Sequence, residues 1–329
     1  MATASAPGKI ILFGEHAVVF GRPALAVPVT QVQATAVVTS LPRVVPKGTQ
    51  KRSNLDATHW QEHVRIEAPD ISLYSDLHSL LSNPAPHPLA LAVTSVLAAL
   101  GIEVAPPLSI QITSTIPVAA GLGSGAAVSV AIMRALAAFL GRPLPDRRIS
   151  ALAYNVEKLH HGTPSGIDNT VVTYARPVYF IKDHLTEPFR VNRPFTIVIG
   201  DTGISAPTKE SVTDVRLLWK SEPARWEKVF DQIGQIASRA RQVIEAEDPA
   251  GLGPLMDENH ALLELLSLSC PELDRLILAA RRSGALGAKL SGGGRGGNMI
   301  ALVRKEHAPA VAEALISAGA KRTIVTQVE

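Results

Sequence analysis

Two glycine-rich stretches constrain this chain more than any other feature: Pro117–Ala127, PVAAGLGSGAA, and Lys289–Asn298, KLSGGGRGGN. The first follows Leu108–Ile116, LSIQITSTI, whose alternation places Leu108, Ile110, Ile112 and Ser114 on one face of a strand. An alanine-rich run then reads as a helix to about Leu140. Strand, glycine loop and helix in that order aim unpaired backbone amides, backed by the helix dipole, at an anion. Glycines let the backbone approach closely, and the Ser124 hydroxyl could add a contact to phosphate or magnesium. The plainer alternative is a tight turn with Ser124 as an ordinary N-cap. No Gly-Lys-Ser/Thr follows, so this is not a Walker A loop.

The second stretch contains a GxGxxG match at Gly292, Gly294 and Gly297, but a strand pattern rather than a helix follows it. A dinucleotide site therefore fails on context. A plain hairpin needs fewer glycines, so the pattern predicts close approach to a ligand or to another stretch of backbone. Arg295, in the middle of the loop, either meets phosphate or points to solvent, and solvent is favoured.

Around these loops the chain reads as α+β. Residues 9–13 and 24–29 are short apolar strands flanking GEHAVVFGRP, and Gln33–Ser40 is β-rich. Residues 41–63 lack apolar periodicity and read as an irregular excursion. Leu89, Ala92, Val93, Val96, Leu97 and Leu100 follow helical spacing up to Gly101, and 146–160 is another helix. Residues 170–181 and 195–200 look strand-like. Residues 208–282 read as successive helices punctuated by Pro223, Pro254 and Pro271. Strand 285–290, strand 298–303, helix 307–318 and strand 322–328 close the chain. At 329 residues two domains are expected. The composition shift near 183–194 divides them into 1–185, with the first glycine loop, and 186–329, with the second.

The segment Lys158–Thr170, KLHHGTPSGIDNT, presents Asp168 from a Pro-Ser-Gly turn. Asp168 could take the proton of an alcohol attacking a phosphate, with Lys9 beside it offsetting charge on the transferring group. Glu157, eleven residues upstream, suits a magnesium ligand. Taken singly, each of these is more often a solvated surface charge. His160 and His161 have no third ligand at zinc spacing and read as a structural or substrate-lining pair.

Composition removes several function classes. Basic residues occur in scattered pairs, and aromatics are 4% of the chain, against a nucleic-acid surface. The single cysteine, Cys270, has no disulfide partner or metal-ligand neighbours. Ala126–Leu140 is interrupted by Arg134 and too short for a membrane span. With no signal peptide pattern, the expected location is the cytoplasm.

Four segments together resemble the GHMP small-molecule kinases: PGKIILFGEHAVVFGRPALAVPV, PVAAGLGSGAA, HGTPSGIDNT and GAKLSGGGRGG, in the family's order. HGTPSGIDNT is most similar to the branch whose substrate is mevalonate, and DTGISAPTKE at 201–210 resembles that branch's Thr-Lys segment. The resemblance implies an N-terminal domain like ribosomal protein S5 and a C-terminal ferredoxin-like domain with the site between them. It implies transfer of the ATP γ-phosphate to the 5-hydroxyl of mevalonate in isoprenoid biosynthesis, with Asp168 as base and Lys9 its charged neighbour. Ser124 and Glu157 fall on magnesium positions. Pro117, Ala119, Ala120, Gly121, Leu122, Gly123, Ser124, Gly125 and Ala126 fall around the nucleotide phosphates. Glu15, His16 and Thr208 fall on the mevalonate side, and a homodimer is common in the family.

Three segments depart from the family pattern: Gly125 replaces a second serine in the phosphate loop, the third motif has Arg295 in its middle and Asn298 where cysteine is common, and Ala206-Pro207 precedes Thr208 where the branch usually has a basic-polar pair. Another kinase of the family, acting on phosphomevalonate, homoserine or a sugar, is the alternative. A phosphorylated acceptor would call for a further basic cluster beside Lys9, His16 and the 160s segment. A catalytically silent ligand sensor is a second alternative, against which stands the retention of Lys9, Glu157 and Asp168 together.

Overall fold

Residue alternation builds the first sheet. In the computed structural model, which describes residues 1–42, 60–117, 120–161, 164–182, 184, 187–188, 190–206 and 208–329, strand β1 (Ala2–Phe13) pairs antiparallel with β2 (Ala24–Ser40). The two apolar runs expected at 24–29 and 33–40 are one continuous strand. Ladder pairing is kept through a register shift in which Pro7 faces Gln33 and Gly8 faces Val29, leaving Thr30–Val32 as a bulge. The first strand also begins earlier than its apolar stretch, because backbone pairing with β2 holds residues 2–8.

The long β2 is the spine of the sheet. Its other edge takes β5 (Leu108–Ser114) along Ala34–Ser40 and β6 (Val178–Phe180) along Ala24–Ala26. With β3 (Val64–Ala68), β4 (Leu73–Asp76) and β7 (Glu187–Pro188) the order is β4-β3-β5-β2-β6-β7, and β3 runs parallel to β5. Leu108, Ile110 and Ile112 are buried, as the alternation predicts. Most of residues 41–63 lies outside the described residues; Trp60, in a short 3-10 turn, packs half-buried on the core.

The helices α1 (Leu77–Leu81), α2 (Pro88–Ala99), α3 (Ser124–Phe139), α4 (Asp146–His161) and α5 (Ile167–Tyr174) complete this half. Helix α3 packs across β1 and β2, with α2, α4 and α5 around it. Its small residues, Ala126, Ala127, Ser129, Ala131, Ala135 and Ala137, are all buried and let these elements approach.

Helix α5 corrects the strand expected from 170. Thr170-Val171-Val172-Thr173 has strand-like propensity, yet it continues a helix opened by Gly166 at φ 92°. Burial of Ile167, Val171 and Val172 against neighbouring elements overrides the local preference of β-branched residues. The Asn169 amide clamps α5 to α4 by donating to Ser150 Oγ (2.9 Å) and the Ser150 carbonyl (3.2 Å).

The second sheet is antiparallel, β11-β8-β10-β9, from β8 (Phe195–Asp201), β9 (Gly287–Ser291), β10 (Asn298–Val303) and β11 (Arg322–Val328). Its helices are α6 (Thr208–Ser221), α7 (Pro223–Glu245), α8 (Leu252–Leu265), α9 (Pro271–Arg282) and α10 (Ala308–Ser317). Pro223 and Pro271 open helices, where a missing N–H costs nothing. Pro254 instead lies in the first turn of α8. One apolar cluster runs from Leu25 and Val38 through Ile197 and Ile300 to Ile236 and Met256, so the core is continuous across both sheets. No helix among the described residues is long and apolar enough to cross a membrane.

Candidate active site

Helix α3 begins without a side-chain cap. Gly123, in the left-handed region at φ 73°, is the N-cap and Ser124 the first helical residue, so the serine is not the capping residue. The amides at this end are therefore left without a side-chain acceptor of their own. Gly123 is held against β1: a Cβ there would lie 2.8 Å from Lys9 Cγ. The Lys9 amide also donates to the Leu122 carbonyl at 2.9 Å, which ties loop and strand together. Ala119 lies outside the described residues, while Pro117, Ala120, Gly121 and Leu122 lie in the turn and Gly125 and Ala126 in the first turn of α3, the Leu122 and Ala126 side chains being part of the apolar core.

Lys9 reaches past this loop to Asp168. Its Nζ is 2.9 Å from Asp168 Oδ1, and the lysine side chain is 6% exposed against 30% for the aspartate. The pair is thus buried on the lysine side and open on the carboxylate side. Asp168 sits in the first turn of α5, where an acidic group is favourable and where Ser165 Oγ accepts from the Ile167 amide at 3.3 Å. Glu157 approaches from α4: a Cβ on Gly125 would lie 3.5 Å from its Oε1. Burial, then the charge of Asp168, raises the Glu157 pKa to about 7, with Lys9 acting in the opposite direction. Lys9, Ser124, Glu157 and Asp168, from four separate stretches of sequence, meet at the mouth of α3. The side chains of His160 and His161 lie outside the described residues.

Glu15, His16 and Thr208 converge on the second glycine loop instead. His16 Nε2 donates to the Gly293 carbonyl at 3.0 Å, which fixes its tautomer, and its buried Nδ1 has no partner among the described residues. Burial lowers the His16 pKa to about 4, so the ring is neutral at pH 7. Glu15 is fully buried and bonds Lys289 Nζ, which also donates to the Leu290 carbonyl at 2.7 Å. Burial pushes the Glu15 pKa up and the Lys289 pKa down, and their mutual attraction opposes both shifts. Thr208 lies over Gly293, where a Cβ would come 2.6 Å from Thr208 Oγ1.

The glycines of this loop serve backbone approach. A Cβ on Gly294 would lie 2.2 Å from the Leu268 carbonyl oxygen, and one on Gly296 2.9 Å from that of Ile204; a Cβ on Gly292 alone in the loop would meet nothing within 4 Å among the described residues. Arg295 corrects the solvent expectation. It sits at φ 58°, its Nε donates to the Ser267 carbonyl at 3.1 Å, and its guanidinium pairs with Asp214. It locks the loop onto α6 and the α8–α9 turn.

Two residues were missed in the sequence as parts of this arrangement. Lys289 carried a signal, a lysine inside the wholly buried strand GAKLS. Asn298 did not: its amide donates to the Ala120 carbonyl and so joins the two glycine loops, a partnership that no local pattern encodes. With Ser291 Oγ donating to the Ile11 carbonyl at 2.7 Å, these contacts hold the two sheets in fixed relation at the cleft.

A cleft with a lysine–carboxylate pair, a second carboxylate, a hydroxyl and an uncapped helix N-terminus is the equipment of a small-molecule phosphotransferase. The model for the GHMP kinases N terminal domain matches residues 89–176, and that for the GHMP kinases C terminal domain matches 240–321. The mevalonate kinase of Thermococcus sibiricus is 35% identical, over 99% of this chain and 95% of its own length. That of Pyrococcus horikoshii is 37% identical over 91% and 88%. The crystal structure of L. major mevalonate kinase in complex with R-mevalonate superposes with a TM-score of 0.80 at 27% identity, covering 100% of this chain and 96% of that one. The chain belongs to the GHMP kinase family, with the two-domain fold of that family. Within it, the chain stands among the mevalonate kinases.

Proposed function

We propose that this chain transfers the γ-phosphate of ATP to the 5-hydroxyl of mevalonate, giving 5-phosphomevalonate and ADP for isoprenoid synthesis. The Lys9–Asp168 pair at the mouth of α3 is the observation that carries this reading. Asp168 accepts the hydroxyl proton as the mevalonate oxygen bonds to the γ-phosphorus, and the bond from phosphorus to the β,γ-bridging oxygen breaks to release ADP. Lys9 orients the carboxylate and offsets negative charge gathering on the transferring group. The amides of residues 120–126, in the turn before α3 and its first turn, hold the phosphates. Glu15, His16 and Thr208 face the acceptor side.

Magnesium fits the donor set. Ser124 and Glu157, with Asp168 nearby, offer only oxygen, as a hard cation requires, and such a cation offsets the Asp168 charge that, after burial, raises the Glu157 pKa. Ser124 and Glu157 would hold it, and when bound it neutralises phosphate charge. The division of the chain at 185/186, a cytoplasmic location and a homodimer belong to the same reading; sedimentation measures the last.

The test is ADP release by the purified protein with Mg-ATP, comparing mevalonate with phosphomevalonate, homoserine and galactose. Turnover on mevalonate alone is expected, and Asp168→Asn is expected to lower kcat by about 10²–10⁴-fold. Near-normal turnover in that variant overturns the base assignment, and turnover only on another acceptor overturns the substrate. Bound ATP without turnover on any of them leaves a sensor.

A further inference from the structure

A second cluster of ligating groups lies between α8 and α9 and shares no residue with the phosphoryl-transfer site. The cavity there, about 350 Å³, is lined by Asp257, His260, Glu264, Asp274 and Arg281 among others. His260 forms part of its wall and is only 4% exposed, and its Nδ1 has no partner among the described residues. Its Nε2 faces Glu264 Oε1 at 3.8 Å and Asp274 Oδ1 at 4.0 Å. These separations are too long for hydrogen bonds. They are close to the spacing of atoms that share one small cation, whose bonds to nitrogen and oxygen run to about 2.0–2.2 Å. All three donor atoms lie within 4.8 Å of one another, and both carboxylates are half-exposed.

The elements support such a site. His260 and Glu264, one helical turn apart, share a face of α8. Asp274 comes from the first turn of α9 and accepts from Ser269 Oγ, the kind of outer contact that orients a ligand. The nearby cations have partners of their own: Arg281 binds Asp257 and the Ala288 carbonyl, and Lys289 binds Glu15.

We propose that His260, Glu264 and Asp274 bind one divalent cation of the zinc class, bracing α8 against α9. One imidazole and two carboxylates leave an open position for water, and the nitrogen ligand separates this site from an all-oxygen magnesium site.

Titration of the full chain with Co²⁺ in excess Mg²⁺, followed by visible absorption, tests this. One equivalent is expected, displaced by Zn²⁺. Glu264→Gln and Asp274→Asn, both at half-exposed positions, are each expected to weaken it by about 10-fold or more. Zn²⁺ should raise the melting temperature of the parent protein and not that of Asp274→Asn. His260→Gln should abolish the spectrum, provided its metal-free melt matches the parent's. An absent cobalt spectrum overturns the proposal. So does a spectrum that survives Glu264→Gln and Asp274→Asn but is lost in Glu157→Gln.

Discussion

Glu157 has a pKa near 7 because it is buried beside another carboxylate. Its folded pKa is raised above the ordinary 4.5, so between these values the folded state holds a proton that the unfolded chain has lost. Stability contributed by this group is therefore present below pH 4.5 and falls as pH rises towards 7. Glu157→Gln is expected to stabilise the ligand-free protein at pH 8 by about 1–3 kcal/mol, measured by urea unfolding with and without Mg-ATP. Cation binding needs the carboxylate ionised, so apparent Mg²⁺ affinity should rise between pH 6 and pH 8. The same substitution should flatten that rise, and an unchanged profile would detach Glu157 from the metal. The carboxylates themselves were legible in the sequence. Their mutual charge effect was not, since it depends on two helices delivering them to one loop.

At the scale of elements, the glycines divide by what their missing Cβ would touch. Gly123→Ala puts a methyl 2.8 Å from Lys9 Cγ at a left-handed backbone position. It should cost about 1–2 kcal/mol of stability from conformation alone. It should also lower turnover by displacing the lysine that meets Asp168. Gly292→Ala has the same kind of backbone, φ 92°, but nothing within 4 Å of its Cβ among the described residues. It should show the stability cost with little effect on kcat, and equal kinetic damage in both would refute the contact argument. Gly294→Ala, aimed at the Leu268 carbonyl, should prevent the loop from closing and give little folded protein. The loops were visible as glycine runs, yet whether each glycine serves a ligand or a neighbouring backbone depends on segments far away in sequence. Helix α5 makes the same point in reverse. Its strand-like TVVT is helical because Gly166 opens a turn there and the first sheet, with α3 and α4, supplies a surface to bury Ile167, Val171 and Val172.

Across the whole molecule, the two sheets share one apolar cluster and are joined by Lys289–Glu15, Ser291–Ile11, His16–Gly293 and Asn298–Ala120. A boundary built this way should not melt in two steps. Calorimetry is expected to give one transition whose calorimetric and van't Hoff enthalpies agree; two resolved peaks would contradict the shared core. Lys289→Met leaves Glu15 buried without its counter-charge and should cost about 3–5 kcal/mol, while adding Glu15→Gln should recover part of that loss. Denaturant midpoints of the two singles and the double measure this coupling.

The sequence alone determined the parts of this protein and their order: two glycine loops, the strands and helices that lead into them, a carboxylate in HGTPSGIDN, and the family to which such an order belongs. These are local properties, set by backbone freedom, capping and periodicity within a dozen residues. Only the tertiary structure decided which charges meet. Lys9 with Asp168, Glu15 with Lys289 and Arg295 with Asp214 are pairs between distant segments. Each depends on where strand register and helix packing set the two backbones, and a side chain's range of interaction is a few ångströms in space with no counterpart in position along the chain.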